Sequence, residues 1–236
     1  MADPVTYELV DKVARITLDD GKANGLSHAT IGTLHEMLDR AERDARAVLI
    51  AGRPGRFCGG FDLAVMRGSD VEAVRGLVTA GAELFLRLFE YPLPVVVACT
   101  GHAVAAGAIC LIVADARIGV KGDFKIGLSE VAIGMALPLF AFELARQRLS
   151  KRHFMRATTQ AELYTPDDAV DAGFLDRAAP ADELMEQALA EAKRLAELPQ
   201  PAFRVTKASV QSRAVAYLRE TLEDDMARLA GGPTAA

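Results

Sequence analysis

The chain has 236 residues, with 27 Lys and Arg against 32 Asp and Glu, for a formal net charge of −5. It has no Trp and no basic stripe, so no nucleic-acid partner is expected. Apolar residues make up 51% and charged residues 25%, which excludes a disordered chain and fits one large globular core.

Three cysteines, Cys58, Cys99 and Cys110, cannot all pair, so no extracellular disulfide framework is implied and a cytoplasmic location is expected. The opening residues scatter charge through every stretch and carry no apolar signal-peptide run. Tyr7–Val10 and Val13–Leu18 read as a hairpin joined around Asp11-Lys12, with Ala14, Ile16 and Leu18 on one face. Asp19–Ser27 is a loop. Ile31, Leu34, Met37, Leu38 and Ala41 have helical spacing, and Ala47–Ala51 returns as a buried strand. Arg53-Pro54-Gly55 breaks the chain before Phe57, and Val71, Val74, Val78, Phe85 and Leu88 mark a long helix.

From Tyr91 to Ala114 there is no charged residue, a length that could span a bilayer. Pro92 and Pro94 open this stretch and Thr100-Gly101-His102 interrupts it, so no membrane span is expected. It reads instead as a buried strand over Val95–Cys99, a turn at Thr100–His102, and a small-residue helix from about Ala105 to Ala114. Thr165-Pro166-Asp167-Asp168 is a helix start, and Gly173 stands where a terminating glycine would. Beyond Asp182 nearly everything is helical, broken by Pro199 and Pro201. The alternation of strands and helices predicts an α/β core over residues 1–181. Residues 182–236 are expected to form a docking or oligomerisation region, with a frayed end at Gly231–Ala236.

The chain has no G-x-S-x-G, no G-x-G-x-x-G and no Walker loop. Its four His lack metal-ligand spacing and no C-x-x-C occurs, so neither a metal nor a separate cofactor is expected. What remains is two small-residue turns, Phe57–Asp62 (FCGGFD) and Gly101–Gly107 (GHAVAAG). Small residues let backbone approach a ligand, and free N–H groups at a helix start can bind a developing anion; a tight turn alone would read the same way. The third element is Phe124–Pro138, where Glu130 is a lone acid among Val131, Ala132, Ile133 and Met135. It reads either as a carboxylate at an edge facing water or as a general base whose pKa is lifted by apolar neighbours.

In this order and spacing the elements resemble the crotonase superfamily, the enoyl-CoA hydratase/isomerase family. The resemblance runs through Gly21–Leu26 (GKANGL), Arg56–Met66 (RFCGGFDLAVM), Pro94–Asp115, Ile126–Gly134 (IGLSEVAIG) and Thr165–Asp176. It implies a spiral of repeated β-β-α units with a helical C-terminal region that builds homotrimers or hexamers of paired trimers. It also implies acyl-CoA thioester substrates, with CoA a part of the substrate. By the same resemblance, the N–H groups of Gly59 and Ala106 are the oxyanion donors. Lys22, Ala23, Gly60, Phe61, Asp62 and Leu63 line the CoA arm and substrate, and Cys58 is small packing rather than a nucleophile. Hydratases of the family use two glutamates; here the first position is Ile109, left as part of the acyl surface, and the second is Glu130. A single base implies isomerisation of 3-enoyl-CoA to 2-enoyl-CoA. The alternatives are a hydratase with an atypical second group, or a catalytically weak acyl-CoA-binding member of the fold.

Overall fold

The computed structural model describes residues 3–230, so the expected frayed end at 231–236 lies outside the described residues. Nine strands are present among them: β1 (Val5–Val10), β2 (Val13–Leu18), β3 (Ala47–Gly52), β4 (Gly55–Cys58), β5 (Val95–Cys99), β6 (Gly101–Val104), β7 (Ala116–Val120), β8 (Ile126–Gly127) and β9 (Arg177–Ala179). The helices are α1 (His28–Asp44), α2 (Leu63–Met66), α3 (Val71–Phe89), α4 (Ala106–Val113), α5 (Leu139–Arg148), α6 (Lys151–Thr158), α7 (Pro166–Ala172), α8 (Leu184–Ala196) and α9 (Gln200–Ala230).

Local chemistry explains several of these boundaries. Asp11 and Lys12 both take positive φ, which closes the β1–β2 hairpin in register Val10 opposite Val13. Ser27 caps α1 by accepting the Thr30 N–H at 3.1 Å, and Ile31, Leu34, Leu38 and Ala41 bury one face of that helix. Thr165 caps α7 with Pro166 in its first turn, and Gly173 ends it at φ 97°.

The strands form two sheets, one in the order β1-β2-β3-β5-β7-β9 and the other β4-β6-β8. From β3 onward the chain deals one strand to the large sheet and the next to the small one, then returns through a helix: β3-β4, β5-β6, β7-β8. That is the expected β-β-α spiral, and all pairings after the first hairpin are parallel. The main core holds the wholly buried α4, α3 and the inner face of the large sheet.

One expectation changes. Thr100–His102 is not a turn: Gly101–Val104 is strand β6, because the chain passes from one sheet to the other with only Thr100 between. Helix α8, in the region expected to dock or oligomerise, docks on the core itself. Leu184, Ala188 and Ala192 pack on Val13, Leu49, Val96 and Ile118 and so cover the outer face of the large sheet. No helix among the described residues is long and apolar enough to cross a membrane.

Candidate active site

The small sheet assembles the site. Its three strands are parallel neighbours, so their C-terminal ends emerge side by side. One of the three sequence elements follows each end: Gly59–Phe61 after β4, Ala105-Ala106 after β6, and Glu130 three residues after β8. Ligands of parallel α/β sheets gather at this end, where backbone groups are left unpaired. The approach is close. A Cβ on Gly107 would fall 2.2 Å from the Cys58 carbonyl oxygen, so a glycine is needed for α4 to pack on β4. The Ala105 N–H donates to the Gly127 carbonyl at 3.0 Å, tying the α4 start to the end of β8.

Ala106 opens α4, and Ala105 before it has φ 51° and ψ −125°, which turns the chain sharply into the helix. The first N–H groups of a helix have no intrahelical partner, and the Ala106 N–H, which the sequence offers as a donor, is one of these. Gly59 is different, and the expected assignment is corrected. Its N–H donates to the Ala23 carbonyl at 2.8 Å and is already used. Leu26 bridges Phe61 in parallel, with Leu26 N–H bonded to Gly60 O at 2.9 Å and Asp62 N–H bonded to Leu26 O at 3.0 Å. In a parallel bridge the central residue's own N–H points away from the partner strand, so the Phe61 N–H is not taken by Leu26. Gly60, at φ 104°, makes the turn between Gly59 and Phe61; a Cβ there would sit 3.7 Å from Ala106 N.

Glu130, Ile109 and the Phe61 ring line one cavity of about 220 Å³, together with Val78, Met135 and Phe140. Glu130 is half-buried as a residue, yet its Oε2 is closed off from water and has no hydrogen-bond partner. Burial pushes its carboxyl up from the ordinary glutamate range, against the opposing pull of the Glu130 and Ser129 backbone N–H groups. Of the two readings left open by periodicity, the water-facing edge is therefore wrong. Among the described lining residues Glu130 is the one carboxylate. Ile109 is 2% exposed and offers only hydrocarbon. Burial pushes the Cys58 thiol up to about 12, which leaves it inert as a nucleophile.

The other sequence candidates lie outside this cavity. Lys22 and Ala23 are on the loop before α1, where Lys22 is exposed. Asp62 caps α2 by accepting the Ala64 N–H at 2.8 Å, and Leu63 is 54% exposed. Gly60 and Asp62 are joined to that loop through Leu26, so these residues form one rim.

Sequence reasoning missed Asn24. This buried residue donates from Nδ2 to the carbonyls of Leu18, Arg56 and Phe57 at 3.0–3.1 Å and accepts the Asp20 N–H at 3.0 Å. It stitches the rim loop to β4 just before the donor turn. The signal was present in GKANGL, where an Asn beside a Gly in a loop marks side-chain-to-backbone bonding.

A sequence model of the family described as enoyl-CoA hydratase/isomerase matches residues 8–230. A crystal structure of an enoyl-CoA hydratase/isomerase family protein from Pseudomonas syringae superimposes with a TM-score of 0.94 at 43% identity, covering 97% of this chain and 99% of that one. An enoyl-CoA hydratase structure from Mycobacterium marinum gives 0.91 at 35% identity, covering 96% and 100%. The human mitochondrial enoyl-CoA delta isomerase 1 is 28% identical over 210 residues, which is 87% of this chain and 70% of that protein.

Proposed function

The chain belongs to the enoyl-CoA hydratase/isomerase (crotonase) family and is an enzyme of it, and from that premise we propose that it moves the double bond of a 3-enoyl-CoA to the 2 position. The observation that carries this reading is the pairing of one unpartnered carboxylate, Glu130, with hydrocarbon at Ile109 in the same cavity. Hydration of a 2-enoyl thioester needs a water held and activated by two proton-transfer groups. Isomerisation needs only one base that takes a proton and gives it back.

In the proposed reaction Glu130 removes a proton from C2 of the 3-enoyl thioester. The electron pair delocalises onto the thioester oxygen as a dienolate, and the N–H groups of Phe61 and Ala106 receive the charge. Glu130 then returns the proton to C4, and the double bond stands between C2 and C3. No atom is gained or lost. The raised carboxyl suits the first half of the cycle, because desolvation makes the carboxylate a stronger base toward the C2 proton. The α4 start adds the positive end of a helix. The chemistry asks for nothing beyond the chain and the CoA thioester.

Lys22 and Ala23 on the rim are proposed to meet the CoA arm, with the Lys22 ammonium close to a phosphate. We also propose assembly as a homotrimer or a hexamer of paired trimers; Val205, Val210 and Tyr217, exposed on α9, are apolar side chains that such a contact would cover. Mass photometry of the purified chain tests the assembly.

The test of function is an assay of purified protein against 3-enoyl-CoA and 2-enoyl-CoA, with Glu130→Gln beside wild type. Wild type should form the conjugated 2-enoyl product, and the variant should lose on the order of 10²–10⁴ in rate. Activity within a few-fold of wild type in the variant, or a wild type that hydrates but does not isomerise, overturns the reading.

A further inference from the structure

We propose that Phe61, seated in a notch left by Gly81, is the stop that sets how long an acyl chain the enzyme takes. The inference rests on the reading of this cavity as an acyl site. Gly81 lies inside α3, a 19-residue helix, and is buried. Its φ is not positive, so the helix geometry does not call for glycine. What calls for it is the neighbour. A Cβ on Gly81 would stand 2.2 Å from Cε1 and 2.4 Å from Cζ of Phe61. The phenyl ring fills the room of the missing side chain.

That ring is one end of an aromatic wall. Phe61 and Phe85 have centroids 6.2 Å apart at 50°, and Phe85 stacks on Phe140 at 6.1 Å and 26°. Phe85 and Phe140 are fully buried, so the wall has core behind it and does not yield. Phe61 is also the residue whose N–H is proposed above as an oxyanion donor, and its backbone is bridged to Leu26. Anchor and stop therefore belong to one residue, which fixes their separation.

Titration calorimetry with saturated acyl-CoAs from four to fourteen carbons, which bind without reacting, reads the stop directly. Wild-type affinity should rise by about fourfold per added carbon up to one chain length within the series and then break. Gly81→Ala forces the ring inward and should move the break at least two carbons shorter. Phe61→Ala should move it at least two carbons longer. The double variant should follow Phe61→Ala, because the methyl added on α3 then enters emptied space. If circular dichroism shows Gly81→Ala unfolded, Phe61→Trp replaces it and must shorten the limit. A break at the same carbon in every folded variant overturns the proposal while leaving acyl-CoA binding intact. A wild type that binds none of the series overturns this proposal together with the acyl-CoA reading beneath it.

Discussion

Ile109→Glu tests the single-base reading most sharply, because it adds the carboxylate that a two-acid site would have. Ile109 is 2% exposed, so its replacement forfeits about 1.5–3 kcal/mol of apolar burial. The new carboxylate shares a cavity with Glu130, whose Oε2 is already dry and unpartnered. Two carboxylates within about 4–6 Å repel by roughly 3–4 kcal/mol at an effective dielectric near 20. They will not both ionise at neutral pH, and one proton will be shared. One protonated and one ionised carboxyl is also the arrangement that holds a water between a donor and an acceptor. The variant should therefore be less stable by about 3–5 kcal/mol, which is a fall in Tm of roughly 6–20 °C for a chain of this size. Hydration of a short 2-enoyl-CoA, followed by loss of the conjugated absorbance, should rise at least about tenfold over wild type. Isomerisation should fall or stay level. Ile109→Gln, with the same size and no ionisable proton, should lose stability without gaining hydration. A folded Ile109→Glu with no gain, beside a wild type that already hydrates well, would place the second proton-transfer group elsewhere and end the single-base account.

The stability of Glu130→Gln carries a pH signature. The native state holds the Glu130 proton more tightly than the unfolded chain does, so wild-type stability falls as pH rises from the ordinary glutamate value of about 4.3 through the raised native value. The amide lacks that loss; Tm of the variant should match wild type below about pH 4 and exceed it at pH 7, and equal values at pH 7 would mean a solvated carboxyl. Ala106→Pro removes one oxyanion donor and should cost about 10²–10³ in rate, with circular dichroism and oligomer size checking the helix start; a folded, fully active variant rules Ala106 out as a donor. Asn24→Ala strands the Leu18, Arg56 and Phe57 carbonyls and places alanine at φ 53°, so a loss of about 2–4 kcal/mol is expected in denaturant melts, and an unchanged midpoint would deny the stitch.

What the sequence made legible follows the range of the interactions. The β1–β2 hairpin, α1 and α7 are written in local chemistry: positive-φ turn residues, hydroxyl caps, an apolar stripe at helical spacing. The small sheet is not. β4, β6 and β8 have four, four and two residues, too short for a period, and two of them begin at glycines that read as turns. Their existence depends on lateral partners more than twenty residues away, as in Arg56 pairing with His102 and Ala103 with Ile126. The site was legible only as three separate fragments, because the sheet that aligns them has no local signature. The family's spacing singles out Glu130 and Ile109, and the fold brings both to one cavity; Gly59, singled out the same way, has its N–H turned to another partner. Which N–H of a turn is free depends on which is already bonded, and the Ala23 carbonyl that takes Gly59's comes from a loop more than thirty residues earlier.

This construction also explains how a member of the family can change its chemistry and keep its fold. The proposed donors and base sit just past the ends of three hydrogen-bonded strands, so their relative positions are set by sheet register rather than by the side chains themselves. Ile109 lies on a wholly buried helix whose packing asks only for a side chain of about that size, so exchanging acid for hydrocarbon removes a proton-transfer group without disturbing the sheet. Ala105 makes the converse point. At φ 51° and ψ −125° an alanine is strained by about 1–3 kcal/mol, a cost a glycine would escape. Its N–H is held by Gly127, and its Cβ lies where a side chain on Gly60 would touch it. The residue before the proposed Ala106 donor is thus held by its neighbours in a conformation that glycine would share with several others. An oxyanion donor stabilises charge in proportion to how little it must reorganise when that charge appears. On the proposed reaction, the strain at Ala105 holds the helix start ready for the enolate before the substrate arrives.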